Sequence, residues 1–384
     1  MIPVHVLRRL AAFLVLAPPL FLLVSAGATW GASPSASVAP RPPHGFAVSP
    51  DVSERFGEDR TESAVVLVVL DGVRWQDVFV GPERSLLRGR GASLAWPSAR
   101  ALMPNLQQML DTQGMAIGAP GHGAEMVTGG SQRISLPSYR EIFAGKADTA
   151  CLSNDCAKPP GRTVADDVYD QSGPRDVAVI SSWPNIARAA SAESSRFVLS
   201  AGRKIVGREA VLRADDVIAS LLDAGSHASP FPGEGDYRPD ALTERIALRY
   251  LATARPRFIF IGLGDCDEYG HRNDYRAYLD ALHDADAFLG ELSVTLDAMG
   301  ARGRHTTVLV TTDHGRARDF RDHGQWHPES GRVWLVASGG DVQGRGLVGS
   351  PRRHTLSDVA PTVRALLGIT GGEGGEPIAE LVSR

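Results

Sequence analysis

The chain has 384 residues, an apolar fraction of 43% and a formal net charge of -4. This length suits one large domain or two ordinary ones, and the small negative charge lacks the basic excess of nucleic-acid-binding proteins. The composition is that of a globular protein without a nucleic-acid-binding footprint.

The amino terminus has the pattern of an export signal. Two arginines precede an apolar run over residues 10–24, and the small residues 26–28 follow it. This order predicts a signal peptide over residues 1–28. The run is short for a membrane span, so an uncleaved anchor is the alternative. Residues 29–60, rich in Pro, Ser and Ala, are typical of a disordered linker. We therefore expect an exported protein, periplasmic or secreted, that contacts a membrane only if the signal segment stays uncleaved.

Apolar runs of strand length alternate along the chain with segments of helical periodicity. The predicted strands are 63–70, 115–119, 177–181, 258–264, 306–312 and 333–337. The predicted helices are 104–114, 209–224, 239–254, 275–300 and 356–367. This alternation indicates an α/β fold, with a mostly parallel sheet sandwiched between helices. We expect one catalytic domain over residues 61–384, with a small insert near residues 182–240.

Polar side chains occur at or just after the carboxyl ends of the predicted strands. These candidates are Asp71, Asp267, His271, Asp313, His314 and His323. Open α/β sheets bind ligands at that edge, so we expect the side chains to converge there. Asp and His are both zinc ligands, and such a set can build two adjacent metal sites with open positions. For any one residue the alternative is a loop residue or a helix cap.

Ser135 is a candidate nucleophile at the start of a predicted helix. A helix N-terminus favours a bound anion, and a neighbouring metal would lower the pKa of a hydroxyl group. The alternative is that Ser135 caps a helix that begins at Pro137, a role compatible with catalysis.

The chain has three cysteines. Cys151 and Cys156 lie in one polar loop and could form a disulfide in an oxidising compartment. Two unpaired thiols are the alternative, because spacing alone does not fix the geometry. Cys266 has no evident partner.

Six short motifs occur in order between residues 65 and 368. They are Asp71-Gly-Val-Arg74, Met103-Pro-Asn-Leu106, Ser135-Leu-Pro-Ser-Tyr139, Asp267-Glu-Tyr-Gly-His271, Thr312-Asp-His-Gly315 and Ser357-Asp-Val-Ala-Pro-Thr-Val363. In this order the motifs resemble those of the alkaline phosphatase superfamily. The resemblance is nearest to its nucleotide pyrophosphatase/phosphodiesterase and sulfatase-like branches.

The resemblance implies two divalent metal ions. One ion would be held by Asp267, His271 and His323, and the other by Asp71, Asp313 and His314. His323 follows His314 more closely than in the phosphodiesterases, so His327 and His354 are alternatives for that ligand. Mixed imidazole and carboxylate ligands suit Zn²⁺, with Mn²⁺ as the alternative.

By the same resemblance, Ser135 bridges the metals and attacks phosphorus, and water then hydrolyses the phosphoseryl intermediate. Asn154 would hold a phosphoryl oxygen. The implied activity is that of an exported hydrolase acting on small-molecule phosphate esters, either a phosphatase or a phosphodiesterase. The alternatives are a phosphoryl-group transferase, a sulfatase-like hydrolase and a non-catalytic metal-binding protein.

Two departures from the family's sequence patterns make two of these activities less favoured. Formylglycine sulfatases carry Arg at the fourth position after the nucleophile, where this chain has Tyr139. The mutase branch needs a larger second domain than residues 182–240 would supply.

Six basic residues lie near the motifs, and we expect most of them to be solvated surface charges. They are Arg74, Arg133, Arg140, Lys146, Arg272 and Arg316.

Overall fold

The computed structural model describes residues 62–382, apart from residues 88–94, 160 and 341. The predicted signal peptide over residues 1–28 and the predicted linker over residues 29–60 lie outside this part of the chain. Within it, no helix combines the length and the hydropathy needed to span a membrane.

One large sheet forms the centre of the fold. The strands are β1 (Ala64–Leu70), β2 (Gly114–Ile117), β3 (Met126–Val127), β4 (Val177–Ser181), β5 (Val198–Ala201), β6 (Lys204–Gly207), β7 (Phe258–Leu263), β8 (Thr306–Thr311), β9 (Arg332–Val333), β10 (Leu335–Gly339), β11 (Gly346–Leu347) and β12 (His354–Thr355). The nine-stranded sheet has the order β11-β2-β10-β8-β1-β7-β4-β5-β6, and a three-stranded sheet has the order β12-β3-β9. Strands β8, β1, β7, β4 and β5 run parallel, whereas β10 and β6 run antiparallel to their neighbours.

Helices connect the strands. They are α1 (Trp75–Phe79), α2 (Ala99–Leu102), α3 (Pro104–Thr112), α4 (Ser135–Ala144), α5 (Val164–Ser172), α6 (Ala187–Ala190), α7 (Glu209–Arg213), α8 (Asp216–His227), α9 (Asp240–Ala254), α10 (Asp265–His271), α11 (Tyr275–Ala298), α12 (Ala301–Arg304), α13 (Val359–Leu366) and α14 (Ala379–Val382). The mixed α/β fold with a mostly parallel sheet is the one that the sequence predicts.

Both faces of β1 are buried, and each face belongs to a different hydrophobic core. Val66 and Val68 pack in one core with Leu282 of α11, and Val65 packs in the other with Ile142 of α4. Successive side chains of a strand point to opposite faces of the sheet. A strand covered on both faces therefore needs the unbroken apolar run that β1 has.

Residues 182–240 contain two strands that the sequence did not predict. β5 pairs parallel with β4, and β6 pairs antiparallel with β5, so both extend the edge of the large sheet. Strand β6 is half-exposed and begins with the exposed Lys204, and it therefore lacks the apolar run on which the other strand predictions were based.

The three central strands end side by side. Leu70 of β1 pairs with Leu263 of β7, and Val69 pairs with Thr311 of β8. The segments that follow these strands therefore begin at one edge of the sheet, where the candidate ligands were expected.

Candidate metal centre

One group of candidate ligands lies directly after β1 and β8. Nε2 of His314 is 3.5 Å from Oδ1 of Asp71 and 3.4 Å from Oδ2 of Asp313. All three residues are buried, and one ligand atom from each lies within 4.8 Å of the others. This group has the composition and spacing of a site for one cation.

The turn after β1 needs a glycine to bring this group together. Gly72 has a φ of +67°, and a Cβ atom at this position would lie 2.3 Å from Oδ1 of Asp267. The amide of Gly72 donates to Oδ1 of Asp313 at 3.1 Å, and the amide of His314 donates to the same oxygen at 2.9 Å. A side chain at Gly72 would force these segments apart.

Asp313 supplies the evidence that a cation fits here. Its Oδ1 atom accepts the two backbone amides, but its Oδ2 atom is buried and has no hydrogen-bond donor among the described residues. A buried carboxylate oxygen without a donor is destabilising unless another positive charge compensates it. A divalent cation between Asp71, Asp313 and His314 would provide that charge.

A second group lies on and beside α10. Asp267 and His271 are four residues apart on this helix and therefore share one face. Nε2 of His271 is 3.0 Å from Oδ2 of Asp267 and 3.1 Å from Nε2 of His323. His323 also forms a ligand-sized group with Asp267 and His314, and its ring stacks on that of His314 with centroids 3.9 Å apart. The two groups are therefore adjacent.

Backbone carbonyls orient two of the imidazoles. Nδ1 of His314 is 2.9 Å from the carbonyl oxygen of Gly315, and Nδ1 of His323 is 3.1 Å from that of Arg133. A carbonyl only accepts, so each Nδ1 carries the proton and each Nε2 keeps its lone pair. Arg133 adopts a φ of +50° at the point where its carbonyl contacts His323. Such backbone partners orient the histidine ligands of metal sites.

Ser135 is the first residue of α4 and lies at the first group. Its Oγ atom is 3.3 Å from Nε2 of His314 and 3.5 Å from Oδ1 of Asp71. Ile134 is the N-cap residue of the helix. The alternative that Ser135 acts as the helix cap is therefore wrong, and its hydroxyl group is directed at the candidate ligands instead.

Asn154 lies beside the same helix end. Its Oδ1 atom accepts a hydrogen bond of 2.9 Å from the amide of Leu136. The loop that carries Asn154 is closed by a disulfide between Cys151 and Cys156, which confirms the predicted pairing. Cys266 is a free, buried cysteine.

The two alternatives to His323 lie elsewhere. His354 is buried between Ser350 and Asp358, with its ring nitrogens 2.9 Å and 3.1 Å from their side-chain oxygens. Among the described residues, ligand atoms within 4.8 Å of one another form two groups, Asp71 with Asp313 and His314, and Asp267 with His314 and His323; His327 belongs to neither group, whereas His323 belongs to the second. The geometry therefore favours His323 over both.

The electrostatics of the first group also suit a cation. Burial raises the pKa of Asp71 well above its usual range, and the charges of Asp313 and Asp267 raise it further. Burial likewise raises the pKa of Asp313, with a further contribution from Asp267. Burial lowers the pKa of His314 to about 4, which keeps the imidazole neutral near pH 7. A metal binds imidazole in its neutral form and carboxyl groups in their ionised form, and a bound cation would offset the repulsion between these carboxylates.

Two residues that the sequence analysis did not assign contact the ligands. Tyr139 donates a hydrogen bond of 3.0 Å from its hydroxyl to Oδ2 of Asp71. Arg316 forms a buried ion pair with Oδ1 of Asp267. Burial alone would raise the pKa of Asp267, but the charges of Arg316 and the nearby histidines hold it well below its usual range.

The expectation that most basic residues near the motifs are solvated is wrong for three of them. Arg74, Arg140 and Arg316 are buried. Each pairs with a carboxylate, namely that of Asp77, Asp148 or Asp267. Pairing of this kind is what allows an arginine to be buried.

Parts of the sequence match known proteins. Residues 237–370 match the Metalloenzyme superfamily. The phosphopentomutase of Clostridium acetobutylicum is 26% identical over 140 residues, which cover 36% of this chain and 33% of that protein. The 2,3-bisphosphoglycerate-independent phosphoglycerate mutase of Haloquadratum walsbyi is 27% identical over 146 residues, covering 37% of this chain and 28% of that protein. The match thus spans about a third of the length of these relatives.

Solved structures share the fold at low sequence identity. The alkaline phosphatase PafA matches with a TM-score of 0.56 and 12% identity, over 84% of this chain and 99% of that one. A 2-O GAG sulfatase matches with a TM-score of 0.54 and 12% identity, over 84% and 75% of the two chains. The lipoteichoic acid synthase LtaP from Listeria monocytogenes matches with a TM-score of 0.53 and 11% identity, over 84% and 76%. Residues 237–370 thus match the Metalloenzyme superfamily, and the chain shares its fold with an alkaline phosphatase, a sulfatase and a lipoteichoic acid synthase.

Proposed function

We propose that this chain is an exported, metal-dependent hydrolase of small-molecule phosphate esters, with Ser135 as its nucleophile. The observation that carries the proposal is the position of the Ser135 hydroxyl, 3.3 Å from His314 Nε2 and 3.5 Å from Asp71 Oδ1. A hydroxyl beside a candidate metal group can be activated for attack on phosphorus. The proposed export is supported by the signal-peptide pattern of residues 1–28.

The proposed ligand sets are those that the family resemblance implies, and the contact of His271 with Asp267 supports the second set. Asp71, Asp313 and His314 would hold one divalent ion, and Asp267, His271 and His323 would hold the other. The pair would polarise the phosphoryl oxygens and neutralise charge that develops in the transition state. Zn²⁺ suits these ligands best, with Mn²⁺ as the alternative.

The chain's own groups account for the rest of the reaction. Oγ of Ser135 would form a bond to phosphorus while the bond from phosphorus to the alcohol oxygen breaks, and the alcohol leaves with a proton. Water would then cleave the phosphoseryl group and restore the hydroxyl. The N-terminus of α4 would favour the anionic substrate. Asn154, whose Oδ1 binds the amide of Leu136, would use its side-chain nitrogen to hold a phosphoryl oxygen.

The proposal is tested with the variant Ser135→Ala and the matched control Ser138→Ala. Both serines are buried on α4, but only Ser135 contacts the candidate ligands. With aryl phosphate monoesters and diesters, we expect Ser135→Ala to lower kcat by at least about a thousandfold, as for other enzymatic nucleophiles. The control should keep most of the activity. Undiminished turnover by Ser135→Ala would refute the nucleophile assignment.

A second candidate function is intramolecular phosphoryl transfer. It is favoured by the matches to a phosphopentomutase and a phosphoglycerate mutase, although these matches cover only 33% and 28% of those proteins. Incubation with a pentose phosphate and with a phosphoglycerate separates the two functions. Release of inorganic phosphate supports the hydrolase, whereas movement of the phosphoryl group within the substrate supports the mutase.

A further inference from the structure

Arg316 is a buried arginine directly behind the second ligand group. It is 3% exposed, and its Nη1 atom pairs with Oδ1 of Asp267. Its Nε atom donates to the carbonyl of Phe320, and its Nη2 atom donates to that of Arg321 at 2.6 Å. These three contacts fix the plane of the guanidinium group and the oxygen of Asp267 that it binds.

Two glycines make room for this ion pair. A Cβ atom at Gly72 would lie 2.3 Å from Oδ1 of Asp267 and 2.9 Å from Nη1 of Arg316. A Cβ atom at Gly270 would lie 2.3 Å from Cζ of Arg316. Both the turn after β1 and helix α10 therefore leave a space that the pair fills. In a close-packed interior, a space of this shape holds the two side chains in one arrangement.

The ion pair divides the two oxygens of Asp267 between different partners. Oδ1 is bound to Arg316, and the nearest nitrogen of His323 is 3.8 Å from it. Oδ2 is 3.0 Å from Nε2 of His271, which in turn is 3.1 Å from Nε2 of His323. Oδ2 is thus the oxygen beside His271, whereas Oδ1, which Arg316 binds, is the oxygen nearer to His323.

We propose that Arg316 determines which metal this site selects, by holding Oδ1 of Asp267 so that only Oδ2 can bind the ion. This inference rests on the metal pair of the proposed function. A site with one carboxylate oxygen and two imidazoles suits Zn²⁺, which prefers four ligands. Ca²⁺ takes six to eight oxygens and often binds both oxygens of a carboxylate. Occupation of Oδ1 by a guanidinium group therefore disfavours Ca²⁺ more than it disfavours Zn²⁺.

The first experiment measures the dissociation constants of Zn²⁺ and Ca²⁺ by calorimetry on the chelator-treated full chain. In Arg316→Met, we expect the ratio of the Ca²⁺ constant to the Zn²⁺ constant to fall by about tenfold or more, since second ligand shells typically change metal affinity by 10- to 100-fold. The loss of a positive charge affects two divalent ions alike and largely cancels in the ratio. Arg316→Lys keeps a cation for Oδ1 and should preserve most of the selectivity.

Arg302 provides the matched control for a structural role. It is also buried, and it donates to the backbone carbonyls of Glu62, Arg255 and Pro256. Arg302→Met should lower stability without changing the selectivity ratio. A ratio in Arg316→Met within about twofold of the parent, a change smaller than second-shell effects on metal affinity, would overturn the inference.

The second experiment does not depend on whether a variant folds. In a crystal structure of the zinc-loaded parent, we expect Oδ2 of Asp267 to lie about 2 Å from the ion, with Oδ1 still bound to Arg316. Zinc bound to Oδ1, with Arg316 displaced, would overturn the inference and leave the proposed function intact. A parent that binds no zinc would overturn both.

Discussion

Tyr139 connects the nucleophile helix to a candidate metal ligand. It is buried on α4 and donates to Oδ2 of Asp71, the residue whose other oxygen is 3.5 Å from the Ser135 hydroxyl. Burial raises the pKa of Tyr139 well above its usual range, and the charge of Asp71 raises it further. The phenol therefore stays protonated and remains a hydrogen-bond donor to Asp71 at any pH at which the enzyme would work.

The substitution Tyr139→Phe removes this hydrogen bond and keeps the ring. We expect the zinc affinity of the Asp71 group to fall by about tenfold, because partners of metal ligands typically contribute 10- to 100-fold. Competition with a chromophoric chelator measures the change.

Tyr250→Phe is the control, since that buried hydroxyl donates to the carbonyl of Arg175 instead of a candidate ligand. Equal zinc affinities of Tyr139→Phe and the parent would show that Asp71 does not need this donor.

The residues at the strand ends could be predicted from the sequence, and their partners could not. Asp71 and Asp313 follow apolar runs directly, so their place at the sheet edge depends on local pattern. The contact of Tyr139 with Asp71 spans 68 residues, and that of Arg316 with Asp267 spans 49 residues. The periodicity of a sequence predicts local structure, so it could not predict contacts between residues this far apart in the chain.

At the scale of elements, helix α4 and the disulfide loop form one unit. The oxygen of Asn154 binds the amide of Leu136, one of the first amides of the helix, which have no acceptor within the helix itself. The family resemblance gives Asn154 a substrate-binding role. Its position is compatible with both roles, because the two ends of the side-chain amide can serve different partners.

Two substitutions of Asn154 separate these roles. Asn154→Ala removes both ends of the amide, and we expect the free energy of unfolding to fall by about 1 kcal/mol, as for the loss of a helix cap. Asn154→Asp keeps an acceptor for Leu136, so stability should be retained while turnover falls, because the donor to the phosphoryl oxygen is lost and a negative charge is added. Denaturant unfolding and ester hydrolysis measure the two effects. Full activity of Asn154→Asp would limit Asn154 to the structural role.

The elements that form the site differ in how well the sequence predicts them. Strands β1, β7 and β8 have long apolar runs and were predicted nearly at their true bounds. His323 lies in a segment without regular structure between β8 and β9, and its contacts with His271 and His314 show that this segment folds back over the site. Strands β5 and β6 are four residues each and were missed, because the pairing of β5 with β4 and of β6 with β5, not a long apolar run of their own, keeps them in the sheet.

At the scale of the whole molecule, the sheet concentrates negative charge at one edge. Asp71, Asp267 and Asp313 are all buried there. The charge of Asp267 raises the pKa of both Asp71 and Asp313, which shows that the three carboxylates repel one another. Such repulsion destabilises the folded state unless a ligand offsets it. A ligand that binds only the folded state stabilises that state by mass action. Cations bound at this edge would therefore stabilise the folded protein.

The most direct test of this account is the metal content of the purified protein, measured by elemental analysis after dialysis against zinc. We expect about two zinc ions per chain, as in other two-metal phosphoryl-transfer sites. We expect about one ion in Asp313→Asn, because the buried oxygen that has no donor would then belong to a neutral amide. A parent protein that retains less than about one zinc ion per chain would contradict the proposal that this site binds two metal ions.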